Sequence, residues 1–334
     1  MSAGGTAKAM SLSPGLPRVT IGVVQRERFS LTRESLESLY AATSIPFELM
    51  YVDAGSPRHV RRYLEAQASA RGMQLIQRPH YVSPNCARNL VLVRATTPYL
   101  VLVDNDVVFA PGWLDALLDC AEATGADVVT PLICIGRPVH TRIHVAGGLT
   151  TILEAGGGRR LKEVQRLQSS PLASVRGQLV REPTELAEFH CVLARRSLFD
   201  RIGPFDEALL STSEHLDFSL AVRHAGGSIL FEPGALVTYL VPPPLALTDI
   251  PYFTLRWSDA WNLASEQHFH RKWNLSFDDH VVRFGVTHRR LAFRRLRRVV
   301  RLGGRRREHR FSSWLDAFLI SLASRGVRDG DLRG

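Results

Sequence analysis

Two aspartates separated by one residue, Asp104-Asn105-Asp106, follow five apolar residues (Tyr99 to Val103) and precede Val107-Val108-Phe109. In an extended segment, residues i and i+2 project to the same side. Two carboxylates so placed can grip a divalent cation, and Mg2+ or Mn2+ suits oxygen ligands beside substrate phosphates. Such an ion neutralises the charge that develops on a departing diphosphate. The plain alternative is an aspartate pair capping a loop through local hydrogen bonds. The setting separates the two readings: burying carboxylates without partners is costly, and this pair stands between apolar runs. A second Asp-x-Asp, Asp329-Gly330-Asp331, lies in a polar tail and lacks that setting. Asp104 and Asp106 are therefore the expected metal ligands.

Alternating apolar patterns must position this pair. Val19–Val24, Phe47–Asp53, Met73–Gln77, the run from Tyr99 to Phe109 and Asp127–Ile133 read as strands. Between them lie helical patterns: Ser30–Thr43; Pro57–Arg71, stopped by Gly72; a helix capped at Asn85 and running through Val93; and one opened by Pro111 and ended at Gly125. Strands alternating with helices imply crossover units and a largely parallel sheet covered on both faces. In such sheets ligands bind at the carboxyl ends of the strands. Asp53 and the Asp104/Asp106 pair both fall there. The middle, 136–187, reads as an excursion of loops and short elements. Glu188–Arg196 and Gly227–Glu232 return to strand character, and Ser213 is placed to cap a helix over Glu214–Ala225.

The five pieces Val19–Val24, Tyr51–Ser56, Asn85-Cys-Ala-Arg-Asn89, Leu102–Asp106 and Ile202–Glu207 leading to Glu214-His-Leu-Asp217 together resemble glycosyltransferase family 2, over roughly residues 18–235. The resemblance implies a GT-A fold and an inverting transfer from a nucleotide-activated sugar. It implies that Asp53 contacts the base, that Arg88 and Asn89 line the nucleotide pocket, and that Asp104 lies near ribose and metal with Asp106 as the direct ligand. The family pattern has Glu-Asp where this chain has Glu214-His215, and that Asp is the general base. Histidine titrates near neutral pH and can take an acceptor proton; Asp217 and Glu214 are the other candidates, and His215 also qualifies as a metal ligand. A second departure follows Phe231-Glu-Pro233: the family's metal-binding His has no counterpart in Val237–Val241, so water, the diphosphate or His215 would complete the ion's shell. His190 and Cys191 lie where the family brings a strand toward the sugar, with a buried structural thiol weighed against a nucleophile. Trp257, Trp261 and Trp273 are weighed between core packing and stacking on a sugar.

At 334 residues, with 45% hydrophobic and 22% charged residues, the chain can bury a sizeable core. The four cysteines form no C-x-x-C and no zinc spacing, which fits free thiols in a reducing compartment. Residues 1–17 carry no sustained apolar region of a signal peptide and are expected to be a disordered leader. No stretch approaches the roughly 18 apolar residues of a membrane span. The net charge of +10 is concentrated: residues 283–310 hold twelve arginines and one acid, Glu308. Around Leu296, Val299 and Val300 these arginines form a basic amphipathic pattern, and Phe311, Trp314, Leu315, Phe318, Leu319 and Leu322 continue as an apolar stripe. The segment 283–322 is thus read as packing on its own domain, on an anionic membrane surface or on a partner protein; no nucleic-acid motif accompanies it.

The expected organisation is a leader (1–17), a GT-A domain with mixed, mostly parallel sheet (18–250; nucleotide half 18–135, acceptor half 136–250) and a helical basic extension (251–334). The expected enzyme is a cytoplasmic glycosyltransferase using Mn2+ or Mg2+, with peripheral attachment to the inner face of the plasma membrane as one of the readings of its basic segment. Its donor is a nucleotide-diphosphate sugar, UDP favoured, and its acceptor a glycan, lipid-linked or peptide hydroxyl. A dehydrogenase would need a Gly-x-Gly-x-x-Gly turn, which Gly22-Val-Val-Gln-Arg-Glu27 is not. The remaining rival is a catalytically silent relative binding membrane or RNA through its basic tail.

Overall fold

The computed structural model describes residues 16–155, 158–240 and 245–277, with Trp314, Ala317, Phe318 and Ser321 in addition. Twelve strands occur among them: β1 (Val19–Val24), β2 (Glu48–Ala54), β3 (Gln74–Arg78), β4 (Tyr99–Asp104), β5 (Val107–Phe109), β6 (Val128–Ile135), β7 (Ile143–Val145), β8 (Gly148–Ala155), β9 (Gly158–Gln165), β10 (Glu182–Pro183), β11 (Cys191–Arg195) and β12 (Ile229–Tyr239). The α-helices are α1 (Thr32–Ala42), α2 (Arg58–Arg71), α3 (Pro84–Leu92), α4 (Trp113–Thr124), α5 (Leu172–Val175), α6 (Phe199–Ile202), α7 (Glu214–His224), α8 (Ile250–Arg256) and α9 (Asp259–Lys272).

The main sheet runs in the order β10-β12-β6-β11-β4-β1-β2-β3, with β5 on β12 and β7 on β6. Strands β3, β2, β1 and β4 are mutually parallel, whereas β11 runs antiparallel to both β4 and β6. Chain order reverses on either side of β1, which opens a crevice at the carboxyl ends of β1 and β4. Val24 and Asp104 are register partners at that point.

Strand alternation supplies both faces of this half. Tyr99, Val101 and Val103 of β4 join Leu36 and Leu39 of α1 and Leu114 and Leu117 of α4 in one core. Leu100 and Leu102 join Ala87 and Val91 of α3 in another. Gly22 lets α3 close on β1: a Cβ there would meet a methyl of Val91 at 2.6 Å. That contact sets the height of Arg88, one turn earlier on the same helix.

Several local expectations are corrected. Ser83, not Asn85, caps α3, its hydroxyl accepting from the Cys86 N–H at 3.3 Å with Pro84 in the first turn. Gly112 precedes α4 in a left-handed conformation, although Leu114, Leu117, Leu118 and Ala121 face inward and Gly125 ends the helix as read. Ser213 occupies the cap position of α7, but its hydroxyl donates to Glu266 instead. The 136–187 excursion contains β7 and a regular hairpin, β8–β9, whose eight residue pairs run from Gly148↔Gln165 to Ala155↔Gly158. Its polar sequence hides the strands, because one face of the hairpin is exposed.

Helices α8 and α9 pack into the body through Tyr252, Phe253 and Phe269, all buried. The leader up to residue 15, the basic segment 283–310, Asp329–Asp331 and most of the 311–322 stripe lie outside the described residues. Within that stripe, Trp314 and Phe318 are exposed and their rings stack 5.5 Å apart. No helix among the described residues is long and apolar enough to cross a membrane.

Candidate active site

Asp104, Asn105 and Asp106 leave β4 fully buried. Asp104 is flanked by two arginines and a buried histidine whose pKa burial lowers. Its Oδ2 lies 3.3 Å from Nη1 of Arg26 and 3.1 Å from Nδ1 of His190, and its Oδ1 lies 3.8 Å from Nη2 of Arg88. Burial alone would raise its pKa; the contacts with His190, Arg26 and Arg88 outweigh it and hold the carboxyl below its ordinary value. Asp106 has the reverse surroundings. Neither of its carboxylate oxygens has a hydrogen-bond partner among the described residues. Burial, and then the charge of Asp104, push its pKa well above the ordinary carboxylate range. Oxygens of both aspartates and a ring nitrogen of His190 lie within 4.8 Å of one another. Oxygen-rich donors of this kind suit Mn2+ or Mg2+, and a buried carboxylate without a partner is the group a cation would satisfy.

Asn105 fixes the motif to the loop after β1. Its side-chain oxygen accepts from the Arg26 N–H at 3.0 Å, and its amide donates to the Arg28 carbonyl at 3.0 Å and to Thr32 Oγ1 at 3.2 Å. Gln25 ties the same loop to β2, donating to the Ala54 carbonyl at 2.9 Å and accepting from its N–H at 3.2 Å. The loop thereby presents Arg26, whose guanidinium also lies 5.1 Å from the Tyr239 ring centre. Tyr239 stacks on His190 with ring centres 4.0 Å apart, fixing the imidazole against Asp104. Sequence reasoning missed Arg26 and Asn105. Asn105 had one available signal, its place between the two aspartates; Arg26 had none.

Asp53 ends β2 almost fully buried, its Oδ1 accepting from the Ser56 N–H at 3.3 Å and its Oδ2 lying 3.6 Å from Nε of Arg61. Arg88 is buried, donates to Asn85 at 2.8 Å and lies over the Phe189 ring at 3.8 Å. Burial lowers its pKa to about 10, which leaves it charged at neutral pH. Asn89 faces elsewhere. Its amide donates to the Phe205 carbonyl at 2.9 Å and to Glu207 at 2.7 Å, and its oxygen accepts from the Phe205 N–H at 2.9 Å. It clamps the 205–207 turn to α3 with its polar atoms engaged.

The three base candidates at the start of α7 have different surroundings. Glu214 is buried with Oε1 3.5 Å from Nη2 of the buried Arg256. Asp217 accepts from Lys272 Nζ at 2.9 Å and from the Trp273 indole N–H at 2.8 Å. His215 places Nε2 3.4 Å from Glu188 and 3.7 Å from Glu163. Burial would lower its pKa, but Glu188 and Glu163 overcome that and raise it to about 9. Glu188 stands two residues before His190, and each carries the other's charge in its surroundings. Cys191 is fully buried and its thiol pKa is pushed well up by burial and Asp104, so the thiol stays protonated. Trp257 and Trp261 are buried in the body.

The sequence model of Glycosyl transferase family 2 matches residues 20–203, more than half the chain. An O-antigen biosynthesis protein, RfbC, of Myxococcus xanthus is 26% identical over 216 residues, 64% of this chain and 16% of that protein. A pre-mycofactocin glycosyltransferase of Mycobacterium tuberculosis is 26% identical over 167 residues, 50% of this chain and 32% of that protein. The chain thus spans less than a third of the length of these curated relatives. Among solved structures, GalNAc-T7 with UDP, GalNAc and Mn2+ superposes with a TM-score of 0.53 at 15% identity, over 83% of this chain and 55% of that one. At that identity the likeness speaks for the fold, which is GT-A.

Proposed function

The chain belongs to glycosyltransferase family 2, and from that premise we propose that it transfers a sugar from a nucleotide diphosphate to a hydroxyl acceptor with inversion, using Mn2+ or Mg2+. The observation that carries the metal is Asp106, a buried carboxylate with no hydrogen-bond partner among the described residues, beside a second carboxylate that has two arginines and an imidazole within 4 Å. Asp106 and Asp104 would hold the ion, which when bound supplies positive charge to the leaving diphosphate. The relative solved with UDP and Mn2+ supports that pairing and the choice of a UDP-sugar.

Arg26 and Arg88 add fixed charge at the same point, where the low-dielectric surroundings strengthen it. Asp53, at the end of β2, seats the base of the nucleotide. The hydroxyl proton passes to a group at the start of α7, and His215 stands where the family keeps its base. Asn89 contributes by holding the 205–207 turn. The acceptor is proposed to be an envelope glycan or lipid-linked sugar, in keeping with the O-antigen protein among the relatives, and the basic segment 283–322 would keep the enzyme on the inner membrane face.

A thermal-shift screen of sugar nucleotides with and without Mn2+ tests the donor assignment, because a ligand that binds only the folded state raises its melting temperature. A UDP-sugar that stabilises only with the metal is the expected result. Stabilisation by none of them, with salt-sensitive RNA or lipid binding instead, would favour the catalytically silent alternative, for which the replacement of Asp by His215 is the supporting feature.

A further inference from the structure

We propose that Glu163 and Glu188 are positioning residues that turn His215 into the proton acceptor of the transfer, a Glu–His–Glu triad replacing the single carboxylate of the family. This deepens the function proposed above and rests on it. The triad is assembled from three places in the fold: Glu163 on β9, Glu188 on the segment entering β11 and His215 in the first turn of α7. Both carboxylates approach the same ring nitrogen, Nε2, at 3.4 and 3.7 Å. That nitrogen is buried, while the His215 side chain as a whole is 22% exposed. The buried Nε2 edge of the ring therefore faces the acids, and in the proposed triad the acceptor role belongs to the other ring nitrogen, Nδ1. Carboxylates facing Nε2 keep the proton there and leave Nδ1 as the lone pair in the neutral ring.

The hairpin that the sequence concealed has a role here. Register partners Thr150↔Glu163 place Glu163 on the inward face of β8–β9, and Gln165 reaches Glu163 at 2.8 Å to hold it. Glu188 is buried and precedes His190, the neighbour of Asp104, by two residues, so one short segment links the triad to the proposed diphosphate site. The other titratable groups around His215 are Glu214 on its own helix and His144 on β7, whose pKa burial lowers to about 4 and which is therefore neutral here. The step is balanced as follows. The acceptor O–H bond breaks and its proton goes to Nδ1 of His215. The acceptor oxygen bonds to the anomeric carbon, and the bond from that carbon to the diphosphate breaks with the electron pair leaving on the diphosphate.

The test uses the full chain with Mn2+ and a panel of UDP-glucose, UDP-galactose and UDP-N-acetylglucosamine, following hydrolysis of the donor by water across pH 6–10, alongside NMR titration of the His215 imidazole. The wild-type rate should rise with pH to a limb near 9, the value that the two acids impose on the ring. Glu163→Gln and Glu188→Gln should each move both the limb and the NMR titration down by about 1 pH unit. His215→Gln should cost about 100-fold or more in rate with donor binding retained, whereas Glu154→Gln, on the exposed end of the hairpin, should change neither. If the NMR value moves while the rate profile stays, His215 is only an ion triad and the proposal fails. An ordinary imidazole titration in the wild type overturns it even if no donor is hydrolysed, so its failure is separate from that of the proposed transferase. A second bound Mn2+ that His215→Gln removes would overturn it as well.

Discussion

Asp104 and Asp106 stand two residues apart, both fully buried, yet only Asp104 has Arg26, Arg88 and His190 within 4 Å, while neither oxygen of Asp106 has a hydrogen-bond partner among the described residues. One carboxylate is stabilised by the protein's own side chains and the other is not; under the proposed function a divalent cation at the exit of β4 would supply the missing charge.

Without metal, Asp106 is a burden on the fold. Its raised pKa means that the folded chain holds a proton there more readily than the unfolded chain, so its contribution falls as pH rises above the unfolded value of about 3.9. Asp106→Asn should therefore raise the metal-free melting temperature at pH 7.5, with a gain of about 1–3 kcal/mol. Thermal melts of both proteins across pH 4.5–8 check this; a wild type more stable than the variant throughout would contradict it.

Asn105→Ala should cost about 1–3 kcal/mol in denaturant unfolding, because it leaves the Arg26 N–H and the Arg28 carbonyl without their side-chain partner. Arg26 would lose its anchor at the same time, so Mn2+-dependent nucleotide binding should weaken at least tenfold by calorimetry. Unchanged affinity would show that the loop holds its shape without Asn105.

The parallel half of the sheet was legible because its central strands β1 and β4 are buried on both faces and its helices carry a 3.6-residue period; Val19–Val24 was read to the residue. The hairpin β8–β9 was not, since Lys162, Glu163 and Arg160 interrupt its apolar residues, one glycine pair opens it and a second glycine run divides it. Among site residues, the aspartates announce themselves by sitting in apolar runs. Arg26 and Glu188 reach the site through tertiary packing, which leaves no local mark. Asn89 matches the family segment by type, yet its amide is spent on the 205–207 turn.

Asp217 accepts at both of its oxygens, from Lys272 at the end of α9 and from Trp273 just after it. Asp217→Asn should lower the melting temperature by several degrees while kcat per folded molecule changes less than threefold. Loss of kcat at unchanged stability would instead make Asp217 the base.

The His215 ion triad should leave a pH signature on stability. Its folded pKa is raised to about 9, so the stabilisation is fully present below the unfolded value of about 6.5 and is lost as pH rises through 9. Glu163, lowered to about 2 although burial opposes this, because His215 and Gln165 outweigh it, keeps its side of the interaction until pH falls toward 2. The stability difference between wild type and His215→Gln, measured by urea unfolding, should therefore be largest at about pH 5–6 and shrink progressively from about pH 6.5 to about pH 9. A difference that grows with pH would refute the assignment.

Calorimetric titration of UDP into the protein, with and without Mn2+, in wild type and Asp106→Asn bears on the cation site most directly. The wild type should bind UDP at least tenfold more tightly with Mn2+, and the folded variant should show no gain from the metal. An equal Mn2+-dependent gain in the variant would mean that the carboxylate of Asp106 does not hold the ion.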